Sequence, residues 1–146
     1  FLNHSEKEIE KIEFEGIKKA SPSREFIKTI EKEKTIIIGP SNPITSIKPI
    51  IDLNDIKRKL KDRRVIAISP FLGEKVFSGP AARLMKKTGY KPSSQGVTEV
   101  YKDFLDKIVV DKKDPNPPTK SVKADIVMKD KQDEIKLART IKKELS

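Results

Sequence analysis

The sequence predicts an α/β fold in which a mainly parallel sheet carries helices on both faces. Three observations predict it. Short apolar runs recur along the chain, Thr35-Ile36-Ile37-Ile38, Val65-Ile66-Ala67-Ile68 and Ile108-Val109-Val110, as expected of strands covered on both sides. Segments with apolar residues at helical spacing separate them, the alternation that a parallel sheet requires. The first two runs end in loops of glycine, proline and serine, where a strand cannot continue.

The 146 residues suffice for one domain, or part of one, with a real core. Charged residues make up 37% and hydrophobic residues 35%, and no apolar run approaches the roughly 18 residues that span a bilayer. No signal-peptide pattern is present, so no membrane contact is expected and a cytoplasmic location fits. The absence of cysteine excludes disulfides, thiolate metal sites and a cysteine nucleophile. The formal charge of +10 raises a polyanionic partner. The lysines, however, are spread along the chain and interleaved with glutamate, as in Glu31-Lys32-Glu33-Lys34, and aromatics are only 5%. A solvated lysine-rich surface is therefore expected in place of a nucleic-acid face, and its charge would help to draw in a phosphorylated small molecule. The chain opens at Phe1 without an initiator methionine, and a fragment lacking its amino-terminal part is expected.

The elements follow in order. His4, the only histidine, lies in a polar opening segment and reads as a surface residue. Ile12, Phe14 and Ile17 alternate with charged residues and predict a short strand with one buried face. Ser21-Pro22-Ser23 supplies a cap and a first-turn proline for a helix over 23–32, with Phe26, Ile27 and Ile30 facing the sheet. The central strand 35–38 leads to Gly39-Pro40-Ser41-Asn42-Pro43. After it, Ile44, Ile47, Ile50 and Ile51 predict a turn or two of irregular helix. Asn54 is expected to cap a short helix with Ile56 and Leu60 inward, ahead of the strand 65–68. The long loop Ser69–Pro80 then opens a helix capped by Ser78 or Gly79, with Pro80 in its first turn and Gly89 at its end. Pro92–Gly96 reads as a turn, and Thr98 as the cap of a helix through Leu105. On that helix Asp103 and Asp106, three residues apart, could share a cation or simply form a solvated face. Asp111 ends the third apolar strand and reads as a turn residue that could also reach a cleft. After the break 114–118, the segment 122–127 predicts an edge strand. Asp130 caps a last helix, 131–145, with Ile135, Ala138, Ile141 and Leu145 inward.

Loops at the carboxyl ends of parallel strands are where α/β proteins hold ligands. Ser41, Asn42, Thr45 and Ser46 give the first loop polar groups for a phosphate or a ring edge. In the second, Ser78-Gly79 at a helix start would add backbone donors and a hydroxyl. Ordinary capping explains either loop alone; a shared cleft requires both.

Taken together the segments resemble a known family. GPSNPITSI (Gly39–Ile47), SPFLGEKVFSGPAARLM (Ser69–Met85) and GVTEVYKDFLDKIVVD (Gly96–Asp111) fall in the order and spacing of the 2-phospho-L-lactate transferase family. FEGIKKASPS (Phe14–Ser23) and DIVMKDKQDEIKLA (Asp125–Ala138) also fit its layout. The resemblance covers nearly all of this chain and about the carboxyl-terminal half of the family's. It implies a Rossmann-like fold and a magnesium-dependent transferase of coenzyme F-420 biosynthesis. In that reaction the deazaflavin Fo attacks the phosphate of a guanosine-diphosphate-activated lactyl or enolpyruvyl donor and GMP leaves. The expected partners are thus Fo and the donor, with a homodimer as the implied assembly. Gly39, Pro40, Ser41 and Asn42 would line the cleft, with Thr45, Ser69, Ser78 and Gly79 nearby. The magnesium ligands are expected in the absent half and the catalytic residues are left unassigned; the piece alone would be inactive. Lys48, Glu74 and Ala124-Asp125-Ile126, where family members commonly have Thr-Asp-Thr, depart from the family's pattern. A non-catalytic nucleotide- or deazaflavin-binding module and a basic nucleic-acid-binding module are the competing readings.

Overall fold

The computed structural model describes residues 9–73, 75–76 and 80–145. Its elements are α1 (Arg24–Lys32), β1 (Thr35–Ile38), a π-helical turn (Pro43–Ile47), α2 (Lys48–Ile51), α3 (Ile56–Lys61), β2 (Arg64–Ile68), β3 (Phe71–Leu72), β4 (Lys75–Val76), α4 (Ala81–Lys87), α5 (Ser94–Val100), β5 (Lys107–Asp111), β6 (Ser121–Ala124) and α6 (Lys131–Lys143). Four strands form one sheet in the order β1-β2-β5-β6, and every neighbouring pair is parallel. The predicted α/β class with helices on both faces is what the chain adopts.

Side-chain alternation along the strands builds two cores. Val65 and Ala67 of β2 and Ile108 and Val110 of β5 pack with residues of α1 to α5, among them Ile30, Ile56, Leu84, Met85 and Val97. Ile66, Ile68 and Val109 point the other way and are covered by Leu137 and Ile141 of α6 and by Ile126. The period of two along a strand thus explains why β2 and β5 are apolar throughout.

Local signals place several elements as expected. Ser23 caps α1, its Oγ accepting from the Phe26 amide at 3.1 Å, and Asp130 caps α6 by accepting from Gln132 and Asp133. Gly89, at φ 83°, ends α4: its amide donates to the Lys86 carbonyl, and the Tyr90 amide to that of Met85. The irregular helix predicted after the first loop is the π-helical turn running into α2. Asn42 caps it, and Pro49, which has no amide to donate, lies where the frame narrows to α.

Other expectations are corrected. Residues 12–17 form no strand: Gly16 at φ 76° turns the chain, and the Lys19 and Ala20 amides both donate to its carbonyl. Pro22 precedes the cap of α1 and so stands outside its first turn, and Phe26 is 38% exposed. Among the described residues β1 is covered on one side only, because there it ends the sheet and α6 does not reach it; Ile37 is 50% exposed. Asp55, in the left-handed region at φ 66°, and not Asn54, precedes α3, whose Ile56 and Leu60 are buried as predicted. The loop after β2 carries the two-stranded ladder β3–β4, and Pro80 itself precedes α4, with no side-chain cap. The helix assigned to Thr98 starts earlier, capped by Ser93, and ends at Val100. Asp106 therefore faces no helical partner: its Oδ2 accepts from the Val65 amide at 2.7 Å and fastens β5 to β2. The last strand is 121–124, and in α6 it is Leu137, not Ala138, that is buried.

Candidate functional site

Parallel pairing of adjacent β1 and β2, with Ile38 beside Ala67, brings both strand exits to one rim of the sheet. The exits of β5 and β6 follow on the same rim. At the first exit Gly39, Pro40 and Ser41 are exposed, and the Ser41 amide donates to the Gly39 carbonyl at 2.8 Å, closing a tight turn. Asn42 spends its Oδ1 on the Ile44 and Thr45 amides, at 3.0 and 3.3 Å. That fixes the turn and leaves its side-chain amide without a partner among the described residues. Thr45 is exposed one step further on. α4 packs on the π-helical turn, so the helix entered from the second loop lies against the element that leaves the first.

Ser69 behaves differently. It is fully buried, its Oγ 2.8 Å from that of Ser94 and accepting from the Phe71 amide at 3.1 Å. Its hydroxyl sets the exit of β2 against the start of α5 and faces inward. Ser78 and Gly79 lie outside the described residues, as do Glu74 and His4. The structure therefore brings Gly39, Pro40, Ser41, Asn42 and Thr45 together on one exposed turn and sets Ser69 beneath the neighbouring exit.

Farther along the rim, a polar cleft of about 650 Å³ opens over the exits of β5 and β6, lined in part by Asp111, Lys112, Asp125, Lys129 and Asp133. Asp111 is buried, and its Oδ1 accepts from the Lys113 amide at 2.9 Å; it is the turn residue expected and also borders this cleft. Lys112 and Asp125 are paired at 2.6 Å. The hydrogen bond between them holds the Asp125 carboxyl below its usual range and raises the lysine. The sequence reading marks Asp111 as able to reach a cleft and names Asp125 only in the comparison with the family's pattern. Lysine and aspartate residues meet here from segments far apart in the chain, and no local pattern signals that.

Of the positions that depart from the family's pattern, Lys48 pairs with Asp52 at 2.6 Å and Ile126 is buried beneath α6, while Asp125 between the two altered neighbours keeps the family's aspartate. Among the described residues no group of three or more His, Cys, Asp or Glu side chains could hold a metal ion. Nor is any helix there long and apolar enough to cross a membrane.

Residues 2–145 match the family model described as 2-phospho-L-lactate transferase CofD. The chain belongs to this family. Among its relatives named 2-phospho-L-lactate transferase, that of Methanosarcina barkeri is 47% identical over 111 residues, which are 76% of this chain and 36% of the relative. That of Methanocaldococcus jannaschii is 40% identical over 138 residues, 92% of this chain and 44% of the relative. That of Haloarcula marismortui is 38% identical over 144 residues, 98% and 43% respectively. This CofD-family chain thus spans less than half the length of these curated relatives.

Proposed function

We propose that this chain forms part of a cytoplasmic transferase that moves a phospholactyl or phosphoenolpyruvyl group from a guanosine-diphosphate-activated donor to Fo. The oxygen of an Fo hydroxyl bonds to the phosphorus bearing the lactyl or enolpyruvyl group and gives up its proton to solvent, the bond from that phosphorus to the bridging oxygen breaks, and GMP leaves with that oxygen. Such a reaction asks for positioning and for neutralisation of charge on phosphate, and needs no covalent catalyst. The observation that carries the reading is the common rim of β1 and β2, with the capped, exposed turn Gly39–Asn42 at its edge. There the Ser41 and Thr45 hydroxyls and the Asn42 side-chain amide are the groups available to a phosphate or ring edge. The family implies magnesium; among the described residues no group of three or more His, Cys, Asp or Glu side chains is gathered to hold it.

The test uses a hybrid joining this chain to the unmatched part of the M. jannaschii relative. GMP release that depends on Fo and magnesium is expected. Ser41→Ala, at an exposed position, should reduce it about tenfold, the worth of one hydrogen bond to a charged group. A folded hybrid that binds neither Fo nor GDP, yet binds random-sequence DNA with a steep salt dependence, would overturn the reading.

A further inference from the structure

The loop that leaves β5 holds a carboxylate oxygen with nothing to accept. Asp114 is buried, at 5% exposure. Its amide donates to the Asp111 carbonyl at 2.9 Å, and its Oδ1 accepts from the Asn116 amide at 3.0 Å. Its Oδ2 is enclosed and has no hydrogen-bond partner, the one such side-chain atom among the described residues. Burying an acceptor without a donor is costly, and folded chains rarely leave one so. Beside Asp114 opens a cavity of about 200 Å³, lined in part by Lys91, Pro92, Gln95, Pro115 and Asn116. Lys91, Gln95 and Asn116 bear N–H donors, whereas Pro92 and Pro115 offer apolar rings. At about 30 Å³ per water in the liquid, the cavity has room for about seven waters. That is enough for one or two fused rings and too little for a whole nucleotide.

We infer that this cavity takes the lactam edge of a ring, an N–H next to a carbonyl, with the N–H donating to Asp114 Oδ2. The neighbouring carbonyl accepts from Lys91, Gln95 or Asn116, and the two prolines supply apolar wall for the ring. The inference rests on the transfer proposed above, whose two reactants both carry such an edge: guanine in the activated donor and the pyrimidine-dione ring of Fo. The place suits either of them. Asp114 follows β5, and β2 alone separates β5 from β1, so the two strand exits stand about 10 Å apart on one rim. α5, which contributes Gln95 to the cavity, packs in the same layer as the π-helical turn after Asn42. A nucleoside diphosphate, or a deazaflavin with its ribityl chain extended, covers that span while its phosphate or hydroxyl stays at the Gly39–Asn42 turn. A ring nitrogen that carries only a lone pair would meet the carboxylate with no proton to share, and is disfavoured.

Calorimetry on the hybrid described above tests this with GDP, N1-methyl-GDP, Fo and N3-methyl-Fo. Methylation removes the proton of the edge. The methylated form of the ligand whose ring enters the cavity should bind about tenfold or more weakly, the worth of one hydrogen bond to a charged group. Methylation of the other ligand should leave its affinity within about twofold, and the pair that responds names the occupant. In Asp114→Asn the sensitive ligand should itself weaken about tenfold, and the gap between its two forms should close to within about twofold. A gap that persists in Asp114→Asn overturns the inference, because the methyl group would then be meeting something other than this carboxylate. So does a hybrid that binds Fo and GDP with affinities that neither methylation nor Asp114→Asn changes, a result that leaves the proposed transfer standing. A folded hybrid that binds neither ligand removes both.

Discussion

A methyl group added to Gly96 would lie 1.8 Å from the Lys91 carbonyl oxygen and 3.0 Å from Cε of Met85. The obstacle is backbone, so α5 or the turn before it would have to move. Gly96→Ala is expected to cost about 2–4 kcal/mol, seen as a lower urea midpoint at unchanged slope. The same contact explains why the start of α5 was misread: Gly96 looks like a turn residue, and only the packed chain shows it inside a helix pressed against Lys91. Asp52 gives a second prediction. Burial works against its charge, but Lys48 at 2.6 Å and Lys57 at 2.8 Å outweigh this and hold its carboxyl below the ordinary range. A lowered carboxyl contributes stability above its unfolded value, near ~4, and loses it as pH falls through the folded one. Asp52→Asn should therefore cost about 1 kcal/mol at neutral pH and almost nothing at about pH 2, as thermal melts across that range would show.

Caps and breakers were the legible part of the elements, because each acts within three or four residues. Ser23, Asp130 and Gly89 all do what their types suggest. The face of α6 was read one step off. Ile135 and Ala138 share a helical stripe with Ile141, but the strip that meets β2 and β5 runs through Leu137 and Ile141. Leu137→Ala should cost about 2–4 kcal/mol in chemical denaturation, whereas Ala138→Ser, on the exposed side, should stay within about 0.5 kcal/mol. The sequence predicts β1 buried on both faces because four β-branched residues look alike in a central or an edge strand. The exposure of Ile37 depends on how far α6 extends across the sheet, and a run of four residues carries no information about that.

Over the whole molecule, the parallel sheet and its two helical layers followed from the spacing of apolar runs, since those runs have to be covered by something. The rim was legible in the same way: two parallel neighbours must end on one side. The use of individual polar groups along it was not. Ser41 and Ser69 are both serines that follow a strand, yet one is exposed and the other is enclosed with Ser94. That enclosed pair has a consequence for recognition. Since it locks the departure of β2 to α5 in the folded chain, a molecule bound on the rim as proposed would meet a floor already in place. The entropy of ordering that floor is then charged to folding and leaves the association step unburdened.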